Sequence, residues 1–182
     1  ADGHNVAVGH DAGKFITTGV QNTIVGSNAG DALTTGSRNI AIGFAALTVE
    51  DTGGRNIAIG RSALAVLDAG QDGYNVAIGD DAGASMTTGV QNTIIGGLAG
   101  DALTSGSSNI AIGRTALSAE TARDGNTAIG FEALKVQDGG TFNTTLGYQT
   151  GLAVSTGDQN TLLGTKAGDA LTTGSNNVII GY

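Results

Sequence analysis

The sequence predicts an all-β protein, a parallel β-solenoid or β-roll of about eleven 17-residue coils. A five-residue box recurs along the whole chain, β-branched residues fill most of these boxes, and Gly, Ser, Asn or Asp bounds each of them. Helical repeats would instead place apolar residues three and four positions apart. We therefore interpret each box as a short strand between turns.

Each box begins with Asn and ends with Gly, as in Asn39-Ile-Ala-Ile-Gly43. Successive boxes are 17 residues apart, except for a step of 19 between Asn56 and Asn75, where two residues are inserted before Tyr74. The box asparagines are Asn5, Asn22, Asn39, Asn56, Asn75, Asn92, Asn109, Asn126, Asn143, Asn160 and Asn177. The box glycines are Gly9, Gly26, Gly43, Gly60, Gly79, Gly96, Gly113, Gly130, Gly147, Gly164 and Gly181.

We expect structural roles for both columns. Asparagines stacked at about 4.8 Å could donate and accept hydrogen bonds along the axis as an Asn ladder. The glycines are expected where φ is positive or where a neighbouring backbone leaves no room for a Cβ.

The rest of each unit is expected to hold a second short strand, over segments such as Ala29-Gly-Asp-Ala-Leu-Thr-Thr-Gly36. Eleven coils would then form a rod about 50 Å long. Alternation within the box separates the fourth residue from the third. If Ile42, Ile59, Ile78 and Ile112 face the interior, Ala41, Ala58, Ala77 and Ala111 form a smooth outer strip on which identical subunits could pack.

The chain is predicted to be a single repeat domain, residues 1–182, with four-coil blocks at 2–71 and 72–139 and a partial third block at 140–182. It begins and ends within a unit, at Ala1-Asp-Gly-His4 and Ile180-Gly-Tyr182. Because bare strand edges invite pairing, we expect further sequence or another copy to cover both ends.

Composition limits the partners. The net charge of -8 and the estimated pI near 4.4 would repel a phosphate backbone, so no nucleic-acid binding is expected. No apolar run approaches the roughly 18 residues of a transmembrane helix, so no membrane insertion is expected. The 32 glycines and the 4% aromatic content indicate a narrow core.

Three boxes carry a family resemblance: Asn56-Ile-Ala-Ile-Gly60 with Ala63, Asn75-Val-Ala-Ile-Gly79 with Ala82, and Asn126-Thr-Ala-Ile-Gly130 with Ala133. They resemble the head repeats of trimeric autotransporter adhesins, and similar Asn-Thr-Ala-Ile-Gly arrays occur in fibre proteins of tailed phages. The resemblance implies a left-handed parallel β-roll, three parallel chains and a surface that binds matrix or host molecules. The 17-residue unit is a few residues longer than the commonest adhesin repeat.

No catalytic residue, metal site or cofactor is predicted. His4 and His10 are the only histidines, and we interpret them as exposed turn residues. The acidic turn residues are interpreted as turn formers, with a sporadic calcium site as the alternative. They are Asp11, Asp31, Asp80, Asp81, Asp101 and Asp169.

Two further residue classes leave alternatives open. The pairs Thr17-Thr18, Thr34-Thr35, Thr87-Thr88 and Thr172-Thr173 raise the possibility of ice binding, although strand and turn propensity explains them more simply. The aromatics Phe44, Tyr74, Phe131 and Tyr148 lie just outside their boxes. They could contact glycans or a receptor, or fill a corner of the coil or a seam between subunits.

The sequence therefore predicts a non-enzymatic structural or adhesive protein, the shaft or head of an extracellular or virion fibre. The alternatives are a filament subunit that assembles end to end and an ice-binding β-solenoid. The expected partners are copies of the same chain, with a trimer favoured, and a host surface receptor or glycan. An extracellular, cell-surface or virion-surface location is expected.

Overall fold

The computed structural model describes residues 3–182; Ala1 and Asp2, part of the predicted incomplete first unit, lie outside this range. The described chain is all-β, with eleven parallel strands in one sheet, each hydrogen-bonded to the next strand in sequence. The strands are β1 (Val6–Val8), β2 (Thr23–Val25), β3 (Ile40–Ile42), β4 (Ile57–Ile59), β5 (Val76–Ile78), β6 (Thr93–Ile95), β7 (Ile110–Ile112), β8 (Thr127–Ile129), β9 (Thr144–Leu146), β10 (Thr161–Leu163) and β11 (Val178–Ile180).

This architecture confirms the predicted β-solenoid. Equivalent box residues lie directly over one another, as in the pairs Ile40↔Ile57 and Ala41↔Ala58. Register is kept across the insertion, because Ile57 pairs with Val76. The two extra residues are therefore accommodated in the turns of coil 4. The handedness of the coil stays a prediction.

The predicted second strand is wrong. Within residues 3–182, only the three central residues of each box form strands, and the rest of each coil is a chain of turns and bends. Positive φ angles interrupt the extended backbone, for example 54° at Ala45 and 53° at Leu47. Main-chain bonds still join this segment to the next coil, as from Leu47 N to Ala63 O at 3.0 Å.

The assumed orientation of the box is also wrong. Ala41, Ala58, Ala77 and Ala111 are fully buried, whereas the isoleucines at the fourth box position lie on the outer surface, Ile42, Ile59 and Ile112 half-buried and Ile78 exposed. The interior is narrow because leucines from the turns already occupy it. Aliphatic side chains, not alanines, therefore form the outer strip.

Two packing arrangements recur in the core, and seven of the eleven coils have one or the other. Where the strand centre is large, as at Ile24 and Ile94, the residue eight positions after the box Asn is Gly30 or Gly100. Where the strand centre is an alanine, as at Ala41, that position can hold a buried leucine, such as Leu47. Coils 3, 4, 7 and 8 have the alanine and leucine arrangement, whereas coils 2, 6 and 10 have the large residue and glycine. The two positions thus share one volume.

Nothing helical in the described part of the chain could span a membrane.

Candidate functional site

The outer side of the sheet is an uncharged surface that runs the length of the rod. We call it the ladder face and define it by the second and fourth residues of each box. These residues are Val6, Val8, Thr23, Val25, Ile40, Ile42, Ile57, Ile59, Val76, Ile78, Thr93, Ile95, Ile110, Ile112, Thr127, Ile129, Thr144, Leu146, Thr161, Leu163, Val178 and Ile180. All are Val, Ile, Leu or Thr, so the face carries no charge.

The fourth box position is aliphatic in every coil and forms a continuous ridge about 48 Å long, since ten steps separate eleven strands. Several of its residues remain largely exposed; Leu146, for example, is 48% exposed. Soluble monomers rarely leave a contiguous apolar surface of this length in water. The ridge is therefore the strongest candidate for a binding surface.

Two rims border the ladder face. The Asn rim consists of the residue before each box Asn: His4, Gln21, Arg38, Arg55, Tyr74, Gln91, Ser108, Gly125, Phe142, Gln159 and Asn176. The Gly rim consists of the residue after each box Gly: His10, Ser27, Phe44, Arg61, Asp80, Gly97, Arg114, Phe131, Tyr148, Thr165 and Tyr182. An apolar centre with a mixed polar and aromatic rim is the usual anatomy of a protein interface.

The rims hold the predicted aromatics and both histidines. Phe131 and Tyr148 stack with ring centroids 5.4 Å apart, and the Arg55 guanidinium lies 5.2 Å from the centre of the Tyr74 ring. His4 and His10 are both exposed.

Beneath the face, the box asparagines form a buried ladder. The Oδ1 atom of each accepts the backbone N–H of the next box Asn, at 2.8 Å from Asn22 to Asn39. The Nδ2 atom donates to a main-chain carbonyl 14 residues further along, as from Asn22 to Gly36 at 2.9 Å. This second bond holds each turn against the start of the strand.

Asn177, in the last coil, donates its Nδ2 to Asn160 Oδ1 instead, and Asn56 is the exception within the ladder. Its Oδ1 accepts from the backbone and side-chain nitrogens of Asn75, but its buried Nδ2 has no partner within the described chain. The inserted residues displace the carbonyl that the regular spacing supplies elsewhere.

The box glycines stack where both expected constraints apply. Their φ angles lie between 121° and 145°. A Cβ on Gly9 would also lie 2.5 Å from the carbonyl oxygen of Gly26 in the next coil. Any other residue would be strained and would push neighbouring coils apart.

Three buried polar residues were missed by sequence reasoning. The position eleven residues after the box Asn is apolar in most coils, as at Leu33 and Met86, but it holds Glu50, Glu120 and Gln137 in coils 3, 7 and 8. This interruption of an apolar column is the signal that could have revealed them.

Each of the two glutamates accepts main-chain hydrogen bonds from a turn of its own coil and from a turn of the following coil. Glu50 accepts from Gly53 N at 2.7 Å and from Ala69 N at 3.3 Å. Burial raises the pKa of the Glu50 carboxyl, against the lowering effect of these two bonds. Glu120 accepts from Arg123 N at 3.0 Å and from Gly139 N at 3.2 Å.

The predicted acidic turn residues do not gather into one site. Asp31, Asp101 and Asp169 occupy the same position of coils 2, 6 and 10, so about 19 Å separates successive members. Asp80 and Asp81 both pair with Arg61. A carboxylate oxygen is buried without a partner in Asp31 and in Asp101, and burial raises the pKa of Asp101.

A different acidic group forms between coils 3 and 4. Carboxylate oxygens of Glu50, Asp51 and Asp68 lie within 4.8 Å of one another. Both Glu50 oxygens already accept main-chain N–H groups, so we interpret this carboxylate as stabilising the turns of coils 3 and 4.

The threonine column has an internal role. The Thr17 hydroxyl donates to Thr34 O at 3.1 Å, and the Thr104 hydroxyl donates to Thr121 O at 2.8 Å. These hydroxyls extend the main-chain ladder between coils, which gives the first threonine of pairs such as Thr17-Thr18 a structural role.

Comparisons with family models, with curated proteins and with solved structures gave no match to this chain. On the surface of residues 3–182 no pocket opens. The ladder face, its rims and the turns are therefore the features from which function is argued.

Proposed function

We propose that this chain is a non-enzymatic structural and adhesive protein, a rigid shaft or head segment of an extracellular or virion fibre. Stacked main-chain bonds, the Asn ladder and the Gly column supply stiffness along the axis. The turn residues, which vary from coil to coil, supply the display surface for a host receptor or glycan.

The observation that carries this proposal is the uncharged ladder face, with its aliphatic ridge, along the whole rod. Identical chains with a net charge of -8 repel one another, so close association requires a contact surface without charge. We propose that parallel copies pack through this face. Three chains is the number favoured by the resemblance to trimeric adhesin heads.

The test is the mass of the full chain in solution by size exclusion with light scattering. We expect one species of three chains. Leu146→Glu places a charge on the ridge and should dissociate this species, because an unpaired carboxylate would be buried in the interface. Leu146 lies on the surface of the isolated chain, so the substitution should not change the circular dichroism spectrum.

Val136→Glu is the matched control. Val136 is similarly exposed but belongs to the turn segment, away from the ladder face, so its substitution should leave the mass unchanged. A single-chain mass for the unmodified protein would overturn the assembly. A continuous series of sizes would favour the end-to-end filament instead.

A further inference from the structure

Coil 9 presents exposed aromatic rings on both rims of the ladder face and a leucine between them. Phe142, Thr144, Leu146 and Tyr148 alternate with less exposed residues and all four are exposed, Phe142 by 60% and Tyr148 by 48%. This is the one described coil with Phe or Tyr on both rims.

Both aromatic rims are held in place before any partner arrives. On the Gly rim, Tyr148 stacks on Phe131 of coil 8 with the ring planes 10° apart. On the Asn rim, a Cβ on Gly125 would lie 2.6 Å from Cδ1 of Phe142, so the Phe142 ring occupies the space that this glycine leaves free. Rigid, half-exposed aromatic rings of this kind are typical anchors of protein interfaces.

Symmetry determines which rims can meet. When parallel chains are related by rotation about an axis along the rod, the Asn rim of one chain faces the Gly rim of the next at the same coil. An antiparallel pair would instead bring like rims together at different levels.

Resting on the proposed function, we infer that the chains assemble in parallel and in register, with Phe142 of one chain packed against Tyr148 and Phe131 of its neighbour. The occupant of this aromatic strip is thus a second copy of the chain.

The remaining charges are compatible with this register. In coil 4 both rims carry arginine, but Arg55 is paired with Asp72 at 2.7 Å and Arg61 is paired with Asp80 at 2.8 Å. In coil 3, Arg38 of one chain would face Phe44 of the next, a favourable cation and ring contact.

The size of the face is sufficient for association. A strip about 48 Å long and about 20 Å wide, from one rim to the other, has a footprint of roughly 1,000 Å² per chain, near the ~800 Å² per partner of a stable interface. Its flat shape suits another flat sheet, whereas small-molecule sites are concave.

Engineered disulfides test the register, because the chain contains no cysteine. In the double variant Phe142→Cys/Tyr148→Cys, each chain should link to the next under mild oxidation and give a covalent ring of three chains on a denaturing gel. The two cysteines of one chain are about 20 Å apart and cannot join each other, since a disulfide spans at most ~7 Å between Cα atoms.

The matched variant Phe142→Cys/Arg114→Cys uses the same rims two coils apart and should give at least tenfold less product. If this variant links as efficiently or more efficiently, or if neither variant links at a concentration where light scattering shows the cysteine variants themselves to be oligomeric, the inferred register is wrong and the proposed function stands. A single-chain mass would overturn both.

A second measurement does not depend on disulfide geometry. Phe142→Ala should weaken assembly at least tenfold in a dilution series followed by light scattering. Phe15→Ala should not weaken it, because Phe15 is 55% exposed on the turn segment and lies outside the ladder face. Equal dissociation of the two variants would contradict the aromatic contact.

Discussion

The buried carboxyl group of Glu50 shows how one residue adjusts the regular coil to an irregular neighbour. Coil 4 contains the inserted residues, and the Ala69 N–H in its enlarged turn finds its acceptor in Glu50 of coil 3. The cost is a carboxyl group held among apolar side chains and near Asp68 and Asp51, so burial first and these charges second raise its pKa.

This shift predicts a pH dependence of stability. A raised pKa means that the folded chain binds the proton more tightly than the unfolded chain does. The stabilisation is therefore complete below the usual Glu pKa of about 4.3 and is lost as pH rises through the raised value. Glu50→Gln keeps the shape of the side chain without the charge and should flatten this dependence above about pH 4, measured as the urea midpoint.

Glu132→Gln is the control with the opposite sign. Its bonds to Lys135 and Gln149 lower the pKa of Glu132, so its contribution is lost as pH falls. Replacing Glu132 with Gln should instead reduce the loss of stability at acidic pH. Identical pH profiles for the unmodified chain and Glu50→Gln would show that the Glu50 carboxyl group does not titrate with folding.

At the scale of the element, the sequence predicts the position of every strand but not its orientation. The Asn and Gly that bound each box have backbone roles that any stacked coil would require, so their period reveals the ladder. Alternation only separates Ile42 from Ala41 and does not say which residue is inside. That choice depends on Leu47, a turn residue at positive φ, whose burial no local pattern indicates.

Because the strand centre and the position eight residues after the box Asn share one volume, we expect substitutions at these two positions of one coil to be energetically coupled. Ile24→Ala should cost about 2–4 kcal/mol by leaving a cavity. Gly30→Leu should also destabilise, because its Cβ would lie 2.9 Å from Leu33 Cδ1 and 3.3 Å from Ile24 Cδ1. The double variant recreates the arrangement of Ala41 and Leu47 in coil 3. It should be more stable than the sum of the two changes predicts, by at least about 1 kcal/mol.

The measurement is a double-mutant cycle from urea unfolding. Ile24→Ala combined with Gly100→Leu serves as the control, because these positions lie in coils 2 and 6 and share no neighbour. This pair should be additive within about 0.5 kcal/mol. Additivity in the coil 2 pair as well would show that the two positions do not exchange volume.

At the scale of the molecule, the four-coil period seen in the sequence corresponds to this packing cycle. Coils 2 and 6 share the large strand centre and glycine, and the next two coils in each case share alanine and leucine. The side chains that fill the core therefore depend on the position of a coil within its four-coil block. Eleven identical 17-residue units would not need the longer period, which makes the block the natural unit of duplication.

The four-coil packing cycle predicts different stabilities for two internal deletions. Removing residues 39–108 takes out four complete coils and joins coil 2 to coil 7, which reproduces the native junction between coils 6 and 7. Removing residues 39–74 takes out only two coils and joins coil 2 to coil 5. Gly83 of coil 5 then loses Leu64, whose Cδ2 lies 3.1 Å from where a Cβ on Gly83 would be. A void remains at that junction.

In a repeat protein, stability normally rises with the number of stacked units. If all junctions were equal, the product of the two-coil deletion, which keeps more coils, should therefore be more stable than the product of the four-coil deletion. We expect the reverse: the four-coil deletion should melt at the higher temperature by circular dichroism and give a rod about 19 Å shorter than the full chain by small-angle scattering. The two-coil deletion should lose about 2–4 kcal/mol at its mismatched junction. Stability that simply follows length would mean that neighbouring coils are interchangeable and that the four-coil period reflects ancestry without a role in packing.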